Sequence, residues 1–127
     1  MVKTIVGPIA GAQGWGGRPP LAPTGAGLFC ERTWTVLAVN LKLSGRELQI
    51  VRGIFNDQKE YTIAAELGVS PHTVHTERER LYRKLGINDR LQLMLRIIAE
   101  FHALTLDGTT LPPICAFRTA GHCPLNL

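Results

Sequence analysis

Ile63-Ala64-Ala65-Glu66-Leu67-Gly68-Val69-Ser70-Pro71-His72-Thr73-Val74 reads as a helix, a sharp turn and the opening of a second helix, which runs on to Leu85-Gly86. Ile63, Ala64 and Leu67 share one helical face. Gly68 stands where a left-handed residue closes a helix, a conformation in which a Cβ is strained. Ser70 and Pro71 then start the next helix: serine caps it, and proline at the first helical position lacks an N–H that would have no partner there. Ala64 matters through its size, because two helices crossing steeply approach closely only over a small side chain. Val74, six positions after Gly68, faces back onto Ala64. The opposite face of its helix carries His75, Thr76, Glu79, Arg80 and Arg83.

Working outward, Leu43-Ser44-Gly45-Arg46-Glu47 opens an earlier helix, since Ser44 with Glu47 three residues on is a capping box, and apolar Leu48, Ile50, Val51, Ile54 and Phe55 follow. After Arg83-Lys84-Leu85-Gly86-Ile87, a further helix begins at Arg90 and carries Leu91 to Leu95. Within the second helix of the pair, Val74, Arg78, Leu81 and Leu85 fall at i, i+4, i+7 and i+11, so Arg78 sits on the inward stripe. Its guanidinium must reach out along its apolar stem or pair with a carboxylate.

These helices, in this order and with these caps, resemble the LuxR-type (GerE-like) four-helix DNA-binding domain from about Val39 to Leu104, half of the chain. The resemblance implies an all-α fold and a sequence-specific DNA-binding transcriptional regulator whose helix Ser70–Leu85 enters the major groove of double-stranded DNA. It places His75, Thr76 and Glu79 at base-contacting positions and Thr73, Arg83 and Lys84 at phosphates, with Arg80 suited to either. It also implies a homodimer paired through the fourth helix, so that two half-sites are read. This chain departs from the family pattern at His75 and Glu77, where Lys and His are common, and at Glu60-Tyr61-Thr62, where Asn-Lys-Glu is common. Those changes leave the fold intact and bear on the target sequence.

On the fourth helix, Leu91, Met94, Leu95 and Ile98 are expected to close the core. Leu93, Ile97 and Leu104 form a second apolar line, read as the dimer interface unless the lead-in segment or the tail covers it.

Composition agrees without deciding. Fourteen basic residues against ten acidic give +4, which favours a polyanionic partner only weakly. Placement says more: Arg78, Arg80, Arg83 and Lys84 crowd one helix, where they can meet phosphates or simply pair along a solvated face, as Glu79 with Arg83 would.

The flanks differ in kind. Residues 1–30 are dense in Gly and Pro and are expected to be a disordered arm, in which Arg18 could enter a minor groove. Residues 31–42 form a lead-in with Trp34, Leu37 and Leu41 at helical spacing, so a short helix should pack Trp34 on the domain, although Thr33, Thr35, Val36 and Val39 suit a strand nearly as well. The domain proper runs over 43–104, and 105–127 is an irregular tail. Cys30, Cys115, His122 and Cys123 supply four soft atoms, but no Cys-x-x-Cys knuckle is present, so no metal is expected; buried thiols, or a Cys115–Cys123 redox pair, fit the spacing better.

None of the four histidines lies in a sequence context for nucleophilic catalysis, and no phosphate-cradling glycine loop occurs, so neither an enzyme nor a cofactor is expected. Gly7-Pro8 breaks the apolar start too early for a signal peptide, and Arg96 and Glu100 interrupt the fourth helix before membrane-spanning length. A cytoplasmic location follows as the default. The expected partners are double-stranded DNA, a second copy of the chain and RNA polymerase, with no membrane. The alternative of a different class is a protein-interaction module that keeps the helix-turn-helix fold without binding DNA, using the Leu93/Ile97/Leu104 line and the tail. A sigma-factor region is a third reading.

Overall fold

The computed structural model describes residues 25–115, and every regular element among them is helical. A 3-10 turn, Gly25–Leu28, leads into α1 (Glu31–Leu41), α2 (Gly45–Phe55), α3 (Glu60–Leu67), α4 (Pro71–Leu85) and α5 (Arg90–Leu106). The caps read from sequence start these helices. Ser44 Oγ accepts from the Glu47 N–H while Glu47 Oε1 accepts from the Ser44 N–H, the reciprocal box that satisfies two orphan donors of α2. Asp89 does the same work singly for α5, accepting from the Gln92 N–H at 2.8 Å.

One core holds the helices together. Ile50, Val51, Ile54 and Phe55 of α2 meet Ile63 and Ala64 of α3, Val74 and Leu81 of α4, and Leu93 and Ile97 of α5. Gly53 of α2 leaves room for the Ile63 side chain of α3. A Cβ there would come within 2.7 Å of Ile63 Cγ1.

The lead-in is a helix, and it is part of this core. Trp34 is almost completely buried, packs edge-on against Phe29 and Phe55 with ring centroids 5.1 Å away in each case, and donates its Nε1–H to the Ala26 carbonyl at 2.8 Å. Buried Trp thus finds the partner its indole N–H requires. That contact corrects the expected extent of the arm. Residues 25–30 are ordered: Ala26 and Phe29 are buried, the Ala26 N–H donates to Asn56 Oδ1 at 2.7 Å, and a side chain on Gly25 would strike the Phe55 carbonyl. An aromatic packing partner overrides the turn-forming composition. Residues 1–24, with Arg18, lie outside the described residues.

The two faces of α5 are the reverse of the expectation. Leu93, Ile97 and Leu104 are buried, so they cannot form a dimer interface, whereas Leu91 (64% exposed), Leu95 (57%) and Ile98 (38%) point outward and Met94 is half-buried. The cause is what packs on α5. Asn40 Nδ2 of α1 donates to Glu100 Oε2 at 2.9 Å, and Phe29, just before α1, packs on Phe101 with centroids 5.2 Å apart. Together with α2, which shares the core, they cover the line that a four-helix reading left bare. α5 also outruns its expected end by two residues. The chain then turns back, partly burying Leu111, and Cys115, itself buried, donates its backbone N–H to the Leu28 carbonyl at 3.1 Å. His122 and Cys123 lie outside the described residues.

Candidate nucleic-acid interface

The turn between α3 and α4 forms as its residues dictate. Gly68 takes the left-handed conformation at φ 72°, and the Val69 N–H closes back on the Ala64 carbonyl at 3.0 Å, satisfying the end of α3 in three residues. Ser70 Oγ then accepts from the Thr73 N–H at 3.1 Å and lies 3.0 Å from Thr73 Oγ1. With Pro71 at the first helical position, α4 begins at once and its first turn faces solvent. Val74, Leu81 and Tyr82 anchor α4 inward, so its angular position is fixed and one long face is left free.

The side chains expected on that face are there. His75, Arg80 and Arg83 are exposed, and Thr73, Thr76 and Glu79 are half-buried along the same side. What the sequence did not show is how the charges pair beneath them. Arg78 bonds through Nε to Glu60 Oε2 on α3, lies over the Tyr82 ring at 5.0 Å, and places its second terminal nitrogen 3.3 Å from Glu79 Oε2. This inward-stripe arginine therefore solves its burial by pairing. His75 joins the same group, with Nδ1 3.2 Å from Glu60 Oε2 and 3.1 Å from a terminal nitrogen of Arg78. Partial burial alone would raise the carboxyl pKa of Glu60, but the Arg78 hydrogen bond and charge outweigh it and hold it below its ordinary value.

The other end of α4 is tied to α2. Lys84 Nζ donates to Glu47 Oε1 at 2.9 Å and to the Lys42 carbonyl, so this lysine uses two of its N–H groups inside the fold. Burial works against ionised Glu47 too, and is overcome by the Lys84 hydrogen bond and by the Ser44 N–H, so its pKa is lowered. Arg46 of α2 bridges to Glu77 at 3.3 Å. Arg46, Glu77 and Arg80 line a shallow cleft of about 210 Å³ together with Ser44 and Glu47.

The pairing sorts the charges. Glu60 and Glu79 share Arg78, Glu77 is matched by Arg46, and Glu47 by Lys84. Arg80 and Arg83 have no ion-pair or hydrogen-bond partner among the described residues, and both are exposed beside His75, Thr76 and Glu79. Around α4 Arg46, Arg78, Arg80, Arg83 and Lys84 therefore outnumber Glu47, Glu60, Glu77 and Glu79 by one, and the two cations without a partner are the ones that face outward. Glu60 and Arg46 were not picked out as parts of this surface. The one signal for Glu60 was its standing where the family pattern has Asn. No group of three or more His, Cys, Asp or Glu that could hold a metal ion occurs among the described residues.

Residues 41–97, which span α2 to α4 and the first half of α5, match the family described as bacterial regulatory proteins of the luxR family. Among curated proteins, the "Probable transcriptional regulatory protein NarL" of Mycobacterium tuberculosis is 43% identical over 75 residues, covering 58% of this chain and 35% of that protein. The "Transcriptional regulatory protein UhpA" of Escherichia coli is 40% identical over 55 residues, covering 43% and 28%. The "Response regulator GacA" of Pseudomonas syringae is 45% identical over 53 residues, covering 42% and 25%. The alignments thus take in only about a quarter to a third of these relatives' lengths. No solved structure matches it. With the fold all-helical and the capped turn in place, the helix-turn-helix domain at residues 41–97 belongs to the luxR family of bacterial regulatory proteins.

Proposed function

We propose that the chain is a sequence-specific DNA-binding transcriptional regulator that lays the exposed face of α4 in the major groove and acts as a homodimer in the cytoplasm. The observation that carries this reading is the unpaired state of Arg80 and Arg83 on a face where each neighbouring carboxylate is already engaged by another cation, Glu60 and Glu79 through the shared Arg78. An α-helix fits the major groove, and its first turns reach the base edges. His75, Thr76 and Glu79 are the base-reading residues in this arrangement, and Thr73 and Arg83 hold phosphates on either side. Arg80 serves either role. Lys84, engaged by Glu47 and Lys42, adds charge rather than a directed contact. Leu91, Leu95 and Ile98 form the dimer surface, since these apolar side chains lie uncovered along α5, as Leu106 does at its end. No described helix is long and apolar enough to cross a membrane.

Selection of bound duplexes from a random pool tests the reading. Enrichment of an inverted repeat is the expected result, and recovery of unenriched sequence at moderate salt would overturn it.

A further inference from the structure

Resting on that reading of α4, we propose that Glu60 is a positioning residue for base recognition: through the Arg78 guanidinium and the His75 ring it presets how His75 meets its base pair. Glu60 sits on the first turn of α3 and touches no base in this arrangement, yet its Oε2 is shared between Arg78 Nε and His75 Nδ1, the latter at 3.2 Å. Arg78 closes the triangle with a terminal nitrogen 3.1 Å from the same Nδ1, and its plane is fixed from behind by Tyr82, ring centroid 5.0 Å away. Whichever way the proton lies, Nδ1 is engaged, so Nε2 is the one ring nitrogen free to face the groove. A side chain that must be ordered on binding gives up rotamer freedom, and one already held does not. The same guanidinium lies 3.3 Å from Glu79 Oε2, so both candidate base readers hang on a single joint. Glu60 and His75 both stand at positions where this chain departs from the family pattern.

The test uses the full chain, the duplex recovered by selection, and that duplex altered at single base pairs. Glu60→Ala should relax discrimination at the base pair facing His75 by roughly 5- to 10-fold, within the range of one good base contact. The slope of affinity against salt should not fall, because no phosphate contact is lost. In a His75→Ala background the same substitution should change preference at that pair no further. Side-chain NMR of the free protein supplies a readout without DNA: the His75 ring resonances should shift in Glu60→Ala while those of His72 and His102 stay put. Relaxation of equal size with and without His75, or unmoved ring resonances, overturns the positioning role and leaves groove reading intact. Shifted resonances with no base preference in the parent chain overturn groove reading, and the positioning role with it.

Discussion

The two longest helices, α4 with 15 residues and α5 with 17, present opposite kinds of surface. α4 is polar except for a narrow stripe at Val74, Leu81 and Tyr82, and what it leaves outside is cationic. α5 is apolar nearly all round: it buries Leu93, Ile97 and Leu104 and still exposes Leu91, Leu95 and Ile98. A helix with one apolar stripe has only one way to lie, so its sequence states which face is outward. A helix with two stripes is oriented by whatever docks on it. Here α1, Phe29 and α2 dock, and together they settle the matter. The consequence is functional, because the surface of α4 suits a polyanion and the surface of α5 suits an apolar partner.

The largest expected effect inverts one of these surfaces. Ile97→Asp buries an unpaired carboxylate in the core and should destabilise the fold by about 4 kcal/mol or more, enough to unfold a small domain. Leu95→Asp, two residues earlier on the exposed side, should change the thermal midpoint little and instead prevent assembly, as read by sedimentation. Thermal melts in which Leu95→Asp proved the destructive change would show α5 to be turned the other way.

Next in size is a helix that shares in the choice. Trp34→Ala removes a buried indole and its hydrogen bond to Ala26, and should cost about 3–5 kcal/mol. It should also raise amide exchange along α5 more than along α4, since α1 lies on α5. Equal loosening of both helices would separate the orientation of α5 from the docking of α1.

The same contrast explains what was legible beforehand. The turn at Gly68, the caps at Ser44 and Ser70, and the outward face of α4 all rest on interactions within a few residues, and those are written locally. Arg78 was recognisable as a problem, an arginine on an inward stripe, but its partner Glu60 comes from another helix and could not be read from spacing. Gly53 and Phe29 acquire meaning only against Ile63 and the Trp34 ring. The orientation of α5 failed for the same reason. Two stripes fitted the helical period, and the deciding contacts, Asn40 with Glu100 and Phe29 with Phe101, join residues 60 or more apart.

Within α4, adjacent cations should behave differently. Arg83 has no partner in the fold, so Arg83→Ala should leave stability within about 0.5 kcal/mol while weakening binding alike on every duplex and lowering the salt slope by about one. Lys84→Ala releases the tie to Glu47 and the Lys42 carbonyl, and should cost about 0.5–1 kcal/mol of stability with a smaller change in slope. Identical salt slopes for the two variants would remove the distinction between a free and an engaged cation.

The smallest effect concerns acid. Glu47 and Glu60, which fasten α4 to α2 and α3, both have pKa values lowered in the fold: in each, burial opposes ionisation and the cationic partner outweighs it. A carboxyl with a folded value below its unfolded one adds stability at pH above the unfolded value, near 4.5, and loses it as pH falls through the folded value. Acidification below that point should therefore weaken the fastening of α4. Glu100 of α5 is lowered too, first by Asn40 and then by Arg96, but α5 keeps its apolar packing in the core and on Phe29 when that carboxyl is protonated. Hydrogen exchange followed from pH 5 down to 3 should, after correction for intrinsic rates, show protection falling in α4 before α5. Glu47→Gln and Glu60→Gln should each flatten that decline, because a neutral side chain has no proton to take up. If α5 lost protection first, the apolar contacts assigned to α5 would be weaker than the charge pairs assigned to α4, and the contrast between the two helices would have to be redrawn.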